Sequence, residues 1–192
     1  MLRRLYDWVM GLAGHRQAVP ALAVISFAES SLFPIPPDVM LIPMILANRA
    51  RAWLIAAVCT ISSVVGGIAG YAIGFFLWDS IGRQVVDFYG YSHQFEIFQG
   101  WYNDYGLLVL FIAGITPLPY KVFTIASGMT GLPLATFIAG SVVSRGIRFF
   151  AVAALLWWIG EPIRTFVEKN LQWVTAAFVV YLVGGFAVLK LI

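Results

Sequence analysis

The sequence predicts an all-α membrane protein, and three observations carry that prediction. Of its 192 residues 61% are hydrophobic and only 11% charged, whereas soluble domains carry roughly 25% charged residues. Two stretches without any charge are long enough to cross a bilayer, which takes about 20 apolar residues. Two further apolar stretches are broken in the middle by proline clusters. The seven Trp and eight Tyr suit rings anchored at membrane interfaces. The excess of twelve Lys and Arg over nine acidic residues comes without a basic run, so it points to anionic lipid and away from nucleic acid. Cys59 is the single cysteine and His15 and His93 the only histidines, which excludes an intrachain disulfide and speaks against a metal centre. No cofactor is expected.

Taken in order, residues 1–16 begin with basic Arg3 and Arg4, but Asp7 and His15-Arg16 interrupt any signal-type apolar core. They are expected to be retained as an amphipathic interfacial segment. Residues 17–78 form a first repeat. Its apolar part, 18–47, is broken by Pro34-Ile35-Pro36-Pro37, which cannot sit inside a regular helix. The expectation is a re-entrant hairpin with Pro34, Pro36 and Pro37 at its tip, buried in protein because irregular backbone is not tolerated against lipid. A span follows at 53–78, where Gly66, Gly70 and Gly74 repeat every fourth residue and let another helix approach closely.

Residues 79–105 mix charge with Val85, Val86, Phe88, Phe95, Phe98 and Trp101. They are expected to lie along the outer surface as one or two amphipathic helices. A second repeat covers 106–160: a re-entrant hairpin over 107–132 with Pro117 and Pro119 at its tip, then a span over 134–159 carrying Arg145 and Arg148 on one face. A final span occupies 171–190. The chain is thus one membrane domain, an inverted repeat of two re-entrant hairpins each followed by a transmembrane helix, with a C-terminal span and interfacial helices. Self-association is left open.

Charge distribution fits this layout. With re-entrant hairpins, Arg3, Arg4, Arg16, Arg49, Arg51, Arg164 and Lys169 fall on one side, and only Arg83 and Lys190 on the other. The first side, with the N-terminus, is then expected to be cytoplasmic. Full crossings would put Arg49 and Arg51 outside.

The repeat itself is legible in residues. Pro34-Ile-Pro-Pro-Asp38-Val39 aligns with Pro117-Leu-Pro-Tyr-Lys121-Val122, and Leu77-Trp78 with Ile81-Gly82 is echoed by Leu156-Trp157 with Ile159-Gly160. Secondary transporters use broken helices of opposite topology to build a site at the bilayer midplane.

Five ionisable side chains fall at membrane depth: Glu29, Asp38, Lys121, Arg145 and Arg148. Each costs roughly 2.5–3.5 kcal/mol there even on lenient scales, so they are expected to face a cavity or one another. Lys121, Arg145 and Arg148, with broken-helix N-termini nearby, suit an anionic head group. Glu29 and Asp38 are of the type that carries protons. Two plainer roles stand beside these: acids and bases pairing, Asp38 with Lys121, to hold the hairpins, and arginines snorkelling to an interface. Ser127, in Ala126-Ser127-Gly128, lacks a histidine base at depth and is read as a packing residue.

The segments Glu29-Ser-Ser-Leu-Phe-Pro-Ile-Pro-Pro-Asp38, Gly66-Gly-Ile-Ala-Gly-Tyr-Ala-Ile-Gly74 and Thr116-Pro-Leu-Pro-Tyr-Lys121 leading to Ala126-Ser-Gly128 together resemble the DedA family of SNARE-associated, or VTT-domain, membrane proteins. The resemblance covers about residues 29–158. It implies two inverted re-entrant hairpins, a bacterial inner-membrane location, and embedded acids and bases needed for activity. Glu29 and Asp38 match the family's acids. Where many members carry hairpin arginines this sequence has Gly114 and Tyr120-Lys121, a departure similar to the YqaA-type branch, with Lys121 as the substitute. The implied work is translocation of phospholipid or polyprenyl phosphate, with proton or ion coupling. The expected function is therefore a non-enzymatic lipid translocase acting on membrane lipids with anionic head groups. A small-solute or ion transporter and a non-transporting assembly factor are the alternatives.

Overall fold

The computed structural model describes residues 17–31, 36–116 and 120–169, and the described chain is helical throughout. The elements are α1 (Ala18–Ser31), α2 (Asp38–Ala47), α3 (Ala52–Leu77), α4 (Arg83–Phe88), α5 (Ser92–Ile115), α6 (Tyr120–Thr130) and α7 (Leu134–Lys169). The N-terminal segment, Pro34, Pro117, Pro119 and the expected last span lie outside the described residues.

Proline decides where the short helices begin. α2 starts directly after Pro36-Pro37, whose missing N–H groups would be unpaired at a helix start in any case. The Pro37 carbonyl accepts from Met40 and Leu41 at 3.0 and 2.9 Å, and Asp38 in the first turn complements the helix dipole. Pro20 is tolerated in α1 for the same reason, falling in its first turn.

Two helical stretches are long and apolar enough to cross a membrane: Arg49–Phe88 and Leu134–Gly160. The first joins a 3-10 turn at Arg49–Arg51, α3, a single π-helical turn at Trp78–Gly82, and α4. The amphipathic stretch expected over 79–105 is thus helical but not separate from its neighbours. Its first part prolongs α3 and its second opens α5, because nothing between Asp79 and Ile115 stops a helix except Tyr89-Gly90-Tyr91. There Gly90 takes the left-handed conformation, φ +72°. Trp78 stacks on Phe95 across the turn with ring centroids 3.8 Å apart. α7 likewise runs past the expected end at Ile159 to Lys169, passing through Pro162.

The central element is α3, and its glycines are the reason. A Cβ at Gly66 would overlap the Phe27 carbonyl of α1, one at Gly70 would strike Thr124 of α6, and one at Gly74 would overlap the Ile125 carbonyl of α6. α1 and α6 therefore lie against α3 at backbone distance. Gly128 of α6 meets the Tyr71 carbonyl in the same way, so α3 and α6 interlock through glycines on both sides. α7 packs on α3 and on α5, and α2 packs on α7.

Two apolar clusters fill the interior. One joins Leu22, Leu41, Ile45, Ile55, Cys59 and Phe149, from α1, α2, α3 and α7. The other joins Tyr102, Leu110, Tyr120, Leu132 and Phe137, from α5, α6, α7 and the α6–α7 turn. Large apolar side chains also cover the outside, with Ile61 65%, Phe76 69% and Trp158 80% exposed. Such a surface is ruinous in water and ordinary in lipid.

Candidate functional site

Four of the five charged residues expected at depth meet in two pairs. Arg145 is completely buried, at 0% exposure, although a guanidinium cannot shed its charge and so needs acceptors wherever it lies. It finds them on two other helices. Nη2 donates to Glu29 Oε2 of α1 at 2.5 Å, and Nε donates to Ser63 Oγ of α3 at 2.6 Å. The rings of Tyr120 and Phe149 lie over the guanidinium, with centroids 4.6 and 4.9 Å from its central carbon, and add cation–π attraction in a desolvated place.

The hydroxyls close this arrangement into a ring. Ser30 Oγ donates to Glu29 Oε2 at 3.1 Å, and Ser30 and Ser63 share a hydrogen bond of 2.7 Å. A serine has one hydrogen to give. With Ser30's spent on Glu29, Ser63 donates to Ser30 while accepting from Arg145. Two donor paths thus run from Arg145 to the same Glu29 carboxylate, one direct through Nη2 and one relayed from Nε through Ser63 and Ser30. Such networks hold their members far more firmly than isolated pairs.

One turn along α7, Arg148 repeats the pattern with different partners. Its Nη2 donates to Asp38 Oδ2, the first residue of α2, at 2.6 Å, and its Nη1 donates to the Thr116 carbonyl, at the end of α5, at 3.0 Å. That carbonyl is one of those a helix end leaves without an internal partner. Both side chains of the Arg148–Asp38 pair are 16% exposed, against 1% for Arg145 and 13% for Glu29. The deeper arginine is thus shut away, while the shallower one keeps some access.

Asp38 is held by Arg148, whereas the plainer pairing read from the sequence joined it to Lys121. Lys121 lies half-buried on the first turn of α6, next to Tyr120. Neither arginine snorkels. Pro37 is buried and Pro36 partly so at the start of α2. Ser127 is a packing residue: its Oγ donates to the Phe123 carbonyl at 2.7 Å and meets the Tyr102 hydroxyl at 2.9 Å. Five contributors escaped the sequence reading: Ser30, Ser63, Thr116, Tyr120 and Phe149. For Ser63 a signal existed, since Ser62-Ser63 is a polar pair in the middle of an uncharged span.

The two arginines also relate the two proline breaks to each other. Arg145 reaches Glu29, before the first break, and Tyr120, after the second. Arg148 reaches Asp38, after the first break, and Thr116, before the second. Each arginine thus joins one element flanking the first break to one flanking the second. Along α3, Ser63 stands about 16 Å from the helix start at Ala52, at 1.5 Å per residue, near the middle of that helix.

The comparisons with known proteins identify the family. The VTT domain model matches residues 35–158. The chain is 40% identical over 186 residues to an uncharacterised protein of Haemophilus influenzae, covering 97% of this chain and 96% of the relative. It is 34% identical, with 97% of each covered, to a protein of Histophilus somni. To the inner membrane protein YqaA of Escherichia coli it is 23% identical over 139 residues, which is 69% of this chain and 90% of that one. No solved structure matches it. A domain match over most of the chain, relatives along its whole length, and apolar helices around a buried charge cluster establish that the chain belongs to the VTT-domain, or DedA, family of membrane proteins.

Proposed function

We propose that this protein is a lipid translocase of the bacterial inner membrane, a flippase or scramblase for a phospholipid or polyprenyl phosphate with an anionic head group. Arg145, Arg148 and Lys121 receive the head group, and Glu29 and Asp38 couple the movement to protons. The observation that carries the reading is the pair of arginine–carboxylate contacts, one buried and one partly buried, at the ends of broken helices. A protein that needed only stability would do as well with apolar side chains there, since a buried ion pair rarely adds net stability. Charge kept at depth is most often functional.

The packing supports an inverted repeat: α1 lies on α3 as α5 lies on α7, and α6 lies on α3 as α2 lies on α7. On this reading the α1–α2 and α5–α6 pairs dip into the membrane from opposite faces, the chain crosses it several times, and the N-terminus is cytoplasmic. Family membership and likeness to an inner membrane protein support transport-type work in that membrane.

Reconstituted vesicles carrying a head-group-labelled anionic lipid provide the test. Glu29→Gln, Asp38→Asn and Arg145→Ala should each slow flipping at least tenfold, measured by quenching of the outer leaflet. Unchanged flipping in all three would overturn the proposal. Uptake of a water-soluble solute that ignores lipid composition would replace it with a small-solute transporter.

A further inference from the structure

Each arginine spends the same atom on its carboxylate and keeps the other for something else. Arg145 has Nε on Ser63 and Nη2 on Glu29, with aromatic rings over its plane, which leaves Nη1; that atom is buried and has no acceptor among the described residues. Arg148 has Nη2 on Asp38, and its Nη1 rests on the neutral Thr116 carbonyl. The two residues sit three apart on α7, on one face, and both flank the second proline break, Arg145 against Tyr120 and Arg148 against Thr116.

We propose that the anionic group is taken at the Nη1 edges of Arg145 and Arg148 while both carboxylate bonds at Nη2 stay intact, and that its arrival releases Thr116 and so parts the end of α5 from the start of α2. The inference rests on the head-group role given to these arginines above and specifies how they perform it. Its chemistry is acceptor exchange. A phosphate oxygen is an ionised acceptor and makes a bond to guanidinium roughly twice as strong as a neutral carbonyl does. Replacing Thr116 is therefore favourable, whereas replacing Glu29 or Asp38 would trade one ionised acceptor for another and leave a buried carboxylate without a partner. The Nη1 of Arg145 adds a donor that no bond among the described residues has to release. Arg148–Thr116 then acts as a latch between the ends of α2 and α5, closed while the edge is empty.

The test uses the full chain in detergent with Cys59→Ala, and spin labels at Val39→Cys and Ile115→Cys, positions 43% and 39% exposed at the two breaks. The distance between labels is measured by pulsed electron resonance with dodecyl phosphate, with inorganic phosphate, and with neither. Dodecyl phosphate should lengthen that distance. A like effect of inorganic phosphate would assign the site to the free anion, and its absence would assign it to a lipid-borne phosphate; both sustain the exchange. Arg145→Lys and Arg148→Lys keep a charge opposite each carboxylate but lose the planar fork, and should weaken dodecyl phosphate binding roughly tenfold. A distance in the parent protein that does not respond to either probe, or lysine variants that bind as the parent does, would overturn the proposal. Flipping that persists at the parent rate in both lysine variants would also overturn it and leave the translocase standing. Phosphate-driven opening without flipping of any lipid would instead remove the translocase and leave the latch.

Discussion

At the scale of single residues, Ser63 decides whether Arg145 can be buried. Its hydroxyl is the acceptor for Nε and the donor to Ser30, so removing it breaks the ring in two places at once. Ser63→Ala leaves a charged N–H without its acceptor in a fully buried setting, and leaves Ser30 with Glu29 and a long 3.5 Å contact from Arg145 Nη2. We expect a loss of about 1–3 kcal/mol, read as a lower midpoint of thermal unfolding in detergent. A variant as stable as the parent would mean the ring contributes nothing to holding the arginine. Arg148 is different in kind, because one of its acceptors is a backbone carbonyl that no side-chain substitution at Thr116 removes; only changes at Arg148 itself probe that contact.

At the scale of elements, the packing depends on absent side chains. Gly74 faces the Ile125 carbonyl so closely that even a methyl group forces α3 and α6 apart, whereas Gly100, in the exposed part of α5, has open space around its Cβ position. The same substitution should therefore have opposite effects at the two positions. Gly74→Ala is expected to destabilise by about 1–3 kcal/mol or more through overpacking. Gly100→Ala is expected to stabilise by about 0.5–1 kcal/mol through helix propensity. Unfolding midpoints of the two variants, measured side by side, check both signs. The interlock also places the site, since Thr124 of α6 donates both to the Lys121 carbonyl at 2.9 Å and to the Ser30 carbonyl at 3.2 Å. Prising α6 from α3 would carry Tyr120 away from Arg145.

At the scale of the whole molecule, the question is which faces of the membrane the helix ends meet. Gln17 and Asn48 are exposed at the outer ends of α1 and α2, and Tyr91 is exposed at the turn between α4 and α5. If α1 and α2 form a re-entrant pair and α3 crosses, single cysteines at positions 17 and 48 in a Cys59→Ala background should react with an impermeant thiol reagent from the cytoplasmic side. A cysteine at position 91 should react from the opposite side. Labelling of positions 17 and 48 from different sides would make the α1–α2 pair a full crossing, and would put Arg49 and Arg51 against the charge bias that favours the cytoplasm. It would also remove the basis for relating the two broken pairs by inversion.

By itself the sequence determined the elements and their chemistry. Uncharged length marks α3, paired arginines mark α7, proline forbids helix between α1 and α2 and between α5 and α6, and glycines four apart mark the surface where helices close on one another. These are local properties, readable from spacing because a helix repeats every 3.6 residues. The five charges at depth were legible for the same reason. Which acid meets which base was not. Glu29 lies 116 positions from Arg145 and Asp38 lies 110 from Arg148, and no local rule connects residues so far apart. The sequence offered Asp38 with Lys121 as one plain pairing, and the packing of α2 on α7 brings Arg148 to Asp38. Only the tertiary structure decided that pairing, together with the serine ring and the link from Arg148 to Thr116, because a buried charge takes whatever acceptor the packed helices bring within reach.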